Sequence, residues 1–538
     1  MGAGAGVPDH VIIDNTDLDL SNGSQATFVD FSIISNLTIQ NNGGLTIDET
    51  ESLSIGGNLS NTGSLTLNSI SDDYSSLIVS GTSTGNINYN RYVNSNASSG
   101  GNDLISAPVT GQAFNTFITN NSTILANPSG PEILFGGFDN DANDFELWDE
   151  TATTTLDAGI GYRSGIDSAI TPANNIVAFE GTVNTGNIDV TINKGTLSKW
   201  NLIGNPYPSY LSAQTFLNNT TNQSSFTNDP DAATDVSLAV IYGYNDNTGA
   251  GGIYTPINSA TLLSGDYLLA PGQGFFISSN VTAGTTIQFT PTMRAFDGGD
   301  DFIQGRENNT VTSLKLELSN ATQNFVTDFY FTEFSSLGLD QGYDASLFGG
   351  SAPAFALYSH LVEDNTDTPL AIQALGETDY ENTTISLGVN ASSGEQISFS
   401  ISESNLPNTV NVFLEDTETN TSTLLNSSDY VLTPGGNLSG TGRFYLNFLS
   451  TALSVSDAAF DTLNLHTNAL DQTIVISGQL LEDTTADVFD IQGRLVLSKS
   501  LNTNSSINFI DTAELQTGIY VVKLSSGQQI RSEKVVLN

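Results

Sequence analysis

The sequence predicts an all-β, multidomain protein, and three observations carry that reading. Short apolar alternations such as Leu37–Ile39, Ser313–Leu318 and Gln396–Ile401 place apolar side chains on one face of an extended chain. Clusters of glycine, asparagine and proline separate these runs at intervals suited to turns. An apolar content of 38%, with 9% aromatic residues, is too high for a disordered chain.

Residues 1–84 open with a short-period repeat. Leu37–Ile39, Leu45–Ile47, Leu53–Ile55, Leu65–Leu67 and Leu77–Val79 recur with glycine and asparagine turns between them. One such unit cannot bury its own apolar face, so the units must stack or fold back on each other. Stacking, which gives a short β-solenoid-like segment, is the expected outcome, and a spacer or cap is its expected role. No lysine or arginine occurs before Arg91.

Residues 85–305 read as duplicated β-sandwich lobes, about 85–195 and 196–305. Asp103–Pro108, Ala158–Tyr162 and Ile176–Thr182 reappear in order as Asn201–Pro206, Pro271–Phe276 and Thr286–Thr292. Residues 306–450 carry seven or more short alternating strands and read as a further β-sandwich. Residues 451–538 end in strand, turn, strand: Asp487–Leu497, then Leu515–Leu524, then Gln529–Leu537.

Charge and composition exclude several functions. Thirteen basic against 58 acidic residues give a net charge of −45, a field that repels nucleic acid and anionic lipid. With no cysteine there are no disulfides, thiolate metal sites or cysteine nucleophiles. His10, His360 and His466 are too dispersed in sequence for a multi-histidine zinc site. No apolar run approaches the roughly 18 residues of a membrane span. Met1–Gly6 lacks the basic and apolar regions of a signal peptide, which is expected to have been removed or to lie outside a partial reading frame.

Calcium is the one cofactor the sequence suggests. Asp139, Asp141, Asn143 and Glu150 occupy positions 1, 3, 5 and 12 of a calcium-loop spacing, where alternating oxygens can wrap a hard cation. Asp144 stands where that loop needs glycine, so the competing reading is a solvated acidic turn. Phe296–Asp301 is a second acidic loop. Trp148, Trp200, Tyr207, Tyr210, Tyr242 and Tyr244 could form a sugar-stacking platform, although core anchoring is the commoner use of such residues. No nucleophile elbow, phosphate loop or zinc-protease motif occurs, and no carboxylate pair is singled out.

Three motifs near the C-terminus carry a resemblance. Asp490–Val496, Gly518–Leu524 and Lys534–Leu537 resemble the type A C-terminal sorting domain of proteins exported by the type IX secretion system of Bacteroidetes. The resemblance implies an immunoglobulin-like sandwich read by the translocon, shuttle and sortase components. It also implies export through the periplasm to the outer-membrane surface or the medium, with cleavage near 450–459. The signal would rest on Asp490, Gly493, Gly518, Tyr520, Lys523 and Lys534. Trp200–Pro208 and Ala270–Phe276 are similar to segments of large flavobacterial surface proteins, and Asp340–Asp344 and Leu414–Asp416 to a domain that often precedes this signal.

The expected function is a non-enzymatic cell-surface or secreted protein, an adhesin or a structural display protein. The alternatives are a polysaccharide-binding surface protein or glycan hydrolase, and a self-assembling filament or sheath subunit. Partners beyond the export machinery would be polysaccharide or other cell-surface components.

Overall fold

A computed structural model describes residues 18–537 except 21–24, 29–31, 95–101, 167–174, 246–252, 297, 301–310, 451–462, 469–471, 479, 481–483, 493, 503–504, 506 and 527–528. By internal contact the chain forms two compact units, Met1–Ser450 and Thr451–Asn538.

The first unit begins as a three-sided parallel coil. One side stacks Leu18–Leu20, Leu37–Ile39, Leu59–Asn61 and Ser83–Thr84. The second stacks Gln25–Phe28, Gly44–Ile47, Ser64–Leu67 and Ile87–Tyr92, and the third Ser32–Ile34, Ser52–Ile55 and Ser76–Val79. Each short sequence unit is therefore one side of a turn, and three make a coil. Leu45 lies against Leu65 and Leu53 against Leu77 in parallel register, so like residues stack. Leu37, Ile39, Ile47, Leu53, Ile55, Leu65 and Leu67 are all fully buried, the inward face that the alternation requires. Asparagines tie one corner. Asn36 Oδ1 accepts from the Asn58 amide at 2.7 Å, and Asn58 Oδ1 accepts from the Thr82 amide at 2.9 Å, so each coil satisfies backbone donors of the next.

Strand Ile87–Tyr92 splices this coil to the lobes beyond it. It pairs parallel with Ser64–Leu67 on one edge and antiparallel with Ile176–Gly181 on the other. Coil residues consequently share one core with Phe114, Phe117, Phe135 and Phe179.

Between residues 87 and 289 one order of pairing occurs twice. In the first set Ile87–Tyr92 pairs with Ile176–Gly181, and Asn102–Ser106 with Gly161–Gly165, which also takes Phe135–Gly136. In the second Ile188–Ile192 pairs with Thr285–Phe289, and Trp200–Gly204 with Gly274–Ser278, which also takes Ile241–Asn245. The two sets meet reciprocally. Ile105 bridges Gln273 while Ile160 bridges Ile203. The Ser106 amide donates to Gly272 O at 2.7 Å, and the Gly204 amide donates to Gly159 O at 3.0 Å. A contact of i with j matched by one of j with i is what a two-fold relation produces. Gly159 and Gly272 both have positive φ, 82° and 66°, a conformation glycine adopts without steric cost.

From Thr312 to Ser450 an 11-stranded sheet folds over a single core. Its order runs Thr421–Leu424, Val410–Asp416, Phe444–Ser450, Asn382–Asn390, Ala356–Ser359, Leu370–Gly376, Asn324–Thr332, Thr312–Ser319, Ile397–Ser404, Tyr430–Leu432, with Ala345–Ser346 added to Leu370–Gly376. Rings from strands far apart in that order touch, as Phe399 and Phe444 do at 5.0 Å, so the sandwich is made by one sheet doubling over. The two ends are fastened where Tyr430 Oη donates to Asp416 Oδ2 at 2.7 Å and Arg443 pairs with the same carboxylate.

The motif Asp340–Asp344 also has a structural task. Asp344 is fully buried and accepts from the amides of Asp340 and Ala374 at 2.7 and 2.8 Å, clasping a loop to the sheet. Burial nevertheless outweighs these bonds and raises its carboxyl to about 7.

An aromatic cluster joins the sheet to the paired lobes. Trp200, Tyr242 and Phe276 from the second lobe pack with Tyr330, Ala345 and Ile372 from the sheet, and Phe348 lies against Trp200 at 4.5 Å. The described residues up to Ser450 thus share continuous packing across each boundary.

The second unit is a two-sheet sandwich. One sheet orders Asn464–Asn468, Thr473–Ser477 and Ile507–Asp511, the other Leu495–Ser500, Thr485–Asp490, Gly518–Ser526 and Gln529–Leu537. Leu465, Ile474, Ile510, Val488, Val522 and Leu524 fill the space between them. Among the described residues no helix is long and apolar enough to cross a membrane.

Candidate functional site

The second unit presents two different faces of its larger sheet. Strand Gly518–Ser526 alternates, turning Tyr520, Val522 and Leu524 into the core and Ile519, Val521 and Lys523 outward. Its neighbour follows the same phase, with Val535 and Leu537 inward and Lys534 and Val536 outward. Val521 lies opposite Lys534, and Ile519 opposite Val536. The outer face therefore combines exposed apolar residues, including Leu495 at 55%, with the ammonium groups of Lys523 and Lys534. An apolar patch left uncovered on a sheet is a feature of interaction surfaces.

The remaining proposed signal residues shape that sheet. Asp490 Oδ1 accepts from the amides of Gln492 and Arg494 at 2.9 and 3.0 Å, and Oδ2 pairs with the Arg494 guanidinium at 2.7 Å. The Arg494 amide is the main reason the Asp490 carboxyl sits below its usual range. Tyr520 Oη donates to Gln516 O at 2.8 Å, closing the turn ahead of its strand, which Gly518 opens. Gly493 lies outside the described residues. The cleavage segment expected near 450–459 does so too, apart from Ser450.

A second site lies in the first unit. A cleft of about 600 Å³ separates the hairpin strand Ile253–Ile257 from the outer face of the 11-stranded sheet. Strand Asn324–Thr332 places Phe325, Thr327, Phe329 and Phe331 in the sheet's core and so turns Val326, Asp328 and Tyr330 toward the lobes. Asp328 lies opposite Lys315, and Lys315 opposite Glu403, which makes an acid–base–acid row across three strands. Lys315 Nζ reaches Glu403 Oε2 at 2.5 Å. Tyr254 and Phe348, stacked at 3.8 Å, form an aromatic wall.

Asp328 is enclosed by this cleft while part of its surface opens onto the cavity. Enclosure raises its carboxyl to about 6; Lys315 acts against that rise and Glu403 adds to it. Asp328 accepts no hydrogen bond from a described residue. The Tyr267 hydroxyl, near the same acids, is pushed up to about 12 by burial, with Asp328 and Glu403 contributing.

Comparison with known proteins places both units. A family model described as a domain of unknown function, DUF8693, matches residues 5–448, most of the chain. The chain belongs to that family. A secretion system C-terminal sorting domain matches residues 464–538. The protein is accordingly type IX secretion cargo, carried to the cell surface or the extracellular space. No curated protein sequence matches the chain. Among solved structures it is similar to one described as "Biofilm associated protein - BSP domain", at 10% identity and a TM-score of 0.13, over 85% of this chain and 96% of that one.

Within the DUF8693 unit three of the proposed calcium residues, Asp139, Asp141 and Asn143, share one hairpin turn, and Glu150 lies outside it. Phe138–Asp139 and Asp144–Phe145 pair as a tight hairpin, and Trp148–Asp149 then leaves to pair with Glu132–Ile133, carrying Glu150 away. Asp139 Oδ1 accepts from the amides of Asp141 and Ala142 at 2.8 and 3.2 Å, and Asn143 sits at positive φ of 55° within the turn. Asp141 Oδ1 accepts from the amide and hydroxyl of Thr196 at 2.7 and 2.8 Å, bonds that lower its carboxyl and fix the hairpin to the second lobe. Among the described residues no group of three or more acidic or histidine side chains gathers at metal-binding spacing. Residues 297 and 301 of the other acidic loop lie outside the described residues.

The aromatic residues divide likewise. Trp200, Tyr207, Tyr210 and Tyr242 are core residues, while Trp148 and Tyr244 are half-buried, Trp148 with its indole N–H donating to Glu146 at 2.7 Å. The cleft residues Asp328, Lys315 and Tyr254 escaped the sequence reading. Their only signal was a charged residue among apolar neighbours on two strands, Lys315 and Asp328, whose register the sequence does not encode locally.

Proposed function

We propose that the DUF8693 unit is the working part of a non-enzymatic surface protein, an adhesin or display module, delivered by the sorting domain and released from it at the segment between the two units. The observation that carries this reading is the sorting domain at 464–538 behind a unit whose packing is continuous from coil to sheet. Such a unit suits life outside the cell, because its stability comes from packing and needs no cysteine. Its net charge keeps it soluble and discourages adsorption to anionic lipid.

Deleting the gene while leaving the export system intact tests the reading. Cells without the protein are expected to attach less to a glass or polysaccharide-coated surface, with attachment restored by the full chain. Attachment equal to that of the parent strain would remove the adhesive role.

A further inference from the structure

We propose that the cleft between strand Ile253–Ile257 and the large sheet binds a neutral saccharide, with Asp328 accepting from a ring hydroxyl, Lys315 donating to another, and the wall formed by Tyr254 and Phe348 packing against the sugar's C–H face. The proposal goes beyond surface display by naming a site and a ligand class.

The shape fits first. A volume of about 600 Å³ falls within the range of small-molecule sites, roughly 300–1,000 Å³. The floor combines an acceptor and a donor in neighbouring register positions, Asp328 opposite Lys315, with Glu403 next in the row. Adjacent strands are about 4.8 Å apart, so acceptor and donor are presented at short, fixed spacing. A polyol can satisfy both, since each hydroxyl donates and accepts.

Other ligand classes fit less well. An anion would meet Asp328 and Glu403 at the floor and the field of a chain carrying −45. A cation that reached Asp328 would come within about one strand spacing of the Lys315 ammonium. A purely apolar ligand would leave the Asp328 carboxylate enclosed without a donor, which is costly. A carboxylate with no donor among the described residues that opens onto a cavity is what a hydroxyl-bearing ligand completes.

The test is a glycan array of neutral and acidic oligosaccharides probed with the full chain, followed by calorimetric titration of the best neutral oligosaccharide into wild type, Asp328→Ala and Lys315→Met. The expected result is binding of a neutral glycan, at least tenfold weaker in Asp328→Ala, the loss typical of a hydrogen bond to a charged group, and weaker in Lys315→Met, with thermal midpoints close to wild type. Binding only of acidic glycans, no binding, or full affinity in a folded Asp328→Ala protein would overturn the assignment. Should Asp328→Ala fail to fold, Lys315→Met decides on the same criterion. Release of reducing ends from the bound glycan would keep the saccharide site and remove the non-enzymatic reading. Binding by the purified protein with normal attachment of the deletion strain would keep the site and remove the adhesive role.

Discussion

Replacing Arg443 with alanine is expected to destabilise the DUF8693 unit by about 2–3 kcal/mol, read as a lower urea midpoint with an unchanged slope. Asp416 is 1% exposed and its carboxylate accepts from Arg443 Nε and a terminal guanidinium nitrogen at 2.9 and 2.7 Å, and from Tyr430 Oη at 2.7 Å. These groups close the seam where the two ends of the large sheet meet. Burial raises the Asp416 carboxyl, yet the bonds from Arg443 and Tyr430 prevail and hold it at about 2. The figure sits below the 3–5 kcal/mol of a deeply buried pair because the seam is shallow and Arg443 is 19% exposed. The pH dependence is set by the depressed value. An unfolded aspartate titrates near 3.9, so the contribution is fully present above about pH 4 and is lost as pH falls toward 2. Without the guanidinium the burial effect is left, the carboxyl shifts upward, and the variant is expected to gain stability on mild acidification where wild type does not. A midpoint unchanged by Arg443→Ala would show that the seam does not hold the sheet.

Trp200→Ala is expected to cost more, about 3–5 kcal/mol for deleting a large buried aromatic ring. Trp200 is 6% exposed and meets Tyr242 edge-on at 4.9 Å and Phe348 at 4.5 Å. Its loss leaves a hole in the cluster that joins the paired lobes to the large sheet. The expected signature is faster proteolysis in loops flanking that junction, beyond a uniform fall in the urea midpoint. A variant with wild-type proteolysis and less than about 1 kcal/mol of destabilisation would mean the junction is a loose contact.

Much of the architecture was legible in the chain because the β signal is local. The triplets Leu37–Ile39 and Leu65–Leu67 each declare a buried face by alternation, and both are strands with those residues inside. What alternation cannot say is which strand lies beside which. The repeat wound with three sides per coil because its turns, at Asn58 and Gly63 for instance, redirect the chain before a hairpin can form, and corner asparagines bond from coil to coil. The matching landmarks Asp103–Pro108 and Asn201–Pro206 are visible as sequence, while the reciprocal bonds at Gly159 and Gly272 arise only when the two lobes pair.

The candidate sites were read unevenly for the same reason. Lys523 and Lys534 belong to motifs contiguous in sequence, and strand pairing sets them on one outer face. The acidic run from Asp139 to Glu150 has the composition of a calcium loop, but Asp144 and Phe145 form a strand where such a loop would continue turning, and Thr196 of another lobe takes up Asp141. Lys315 and Asp328 face each other across one hairpin, whereas Tyr254 lies far upstream and joins them only through lobe packing.

The most direct test of the account is the location of a chain truncated after residue 463. Residues 1–450 are expected to fold and to remain in the periplasm, with surface labelling and culture medium both empty of the protein, while the full chain reaches the surface. Truncated protein found on the surface or in the medium at wild-type levels would contradict the assignment of export to the sorting domain.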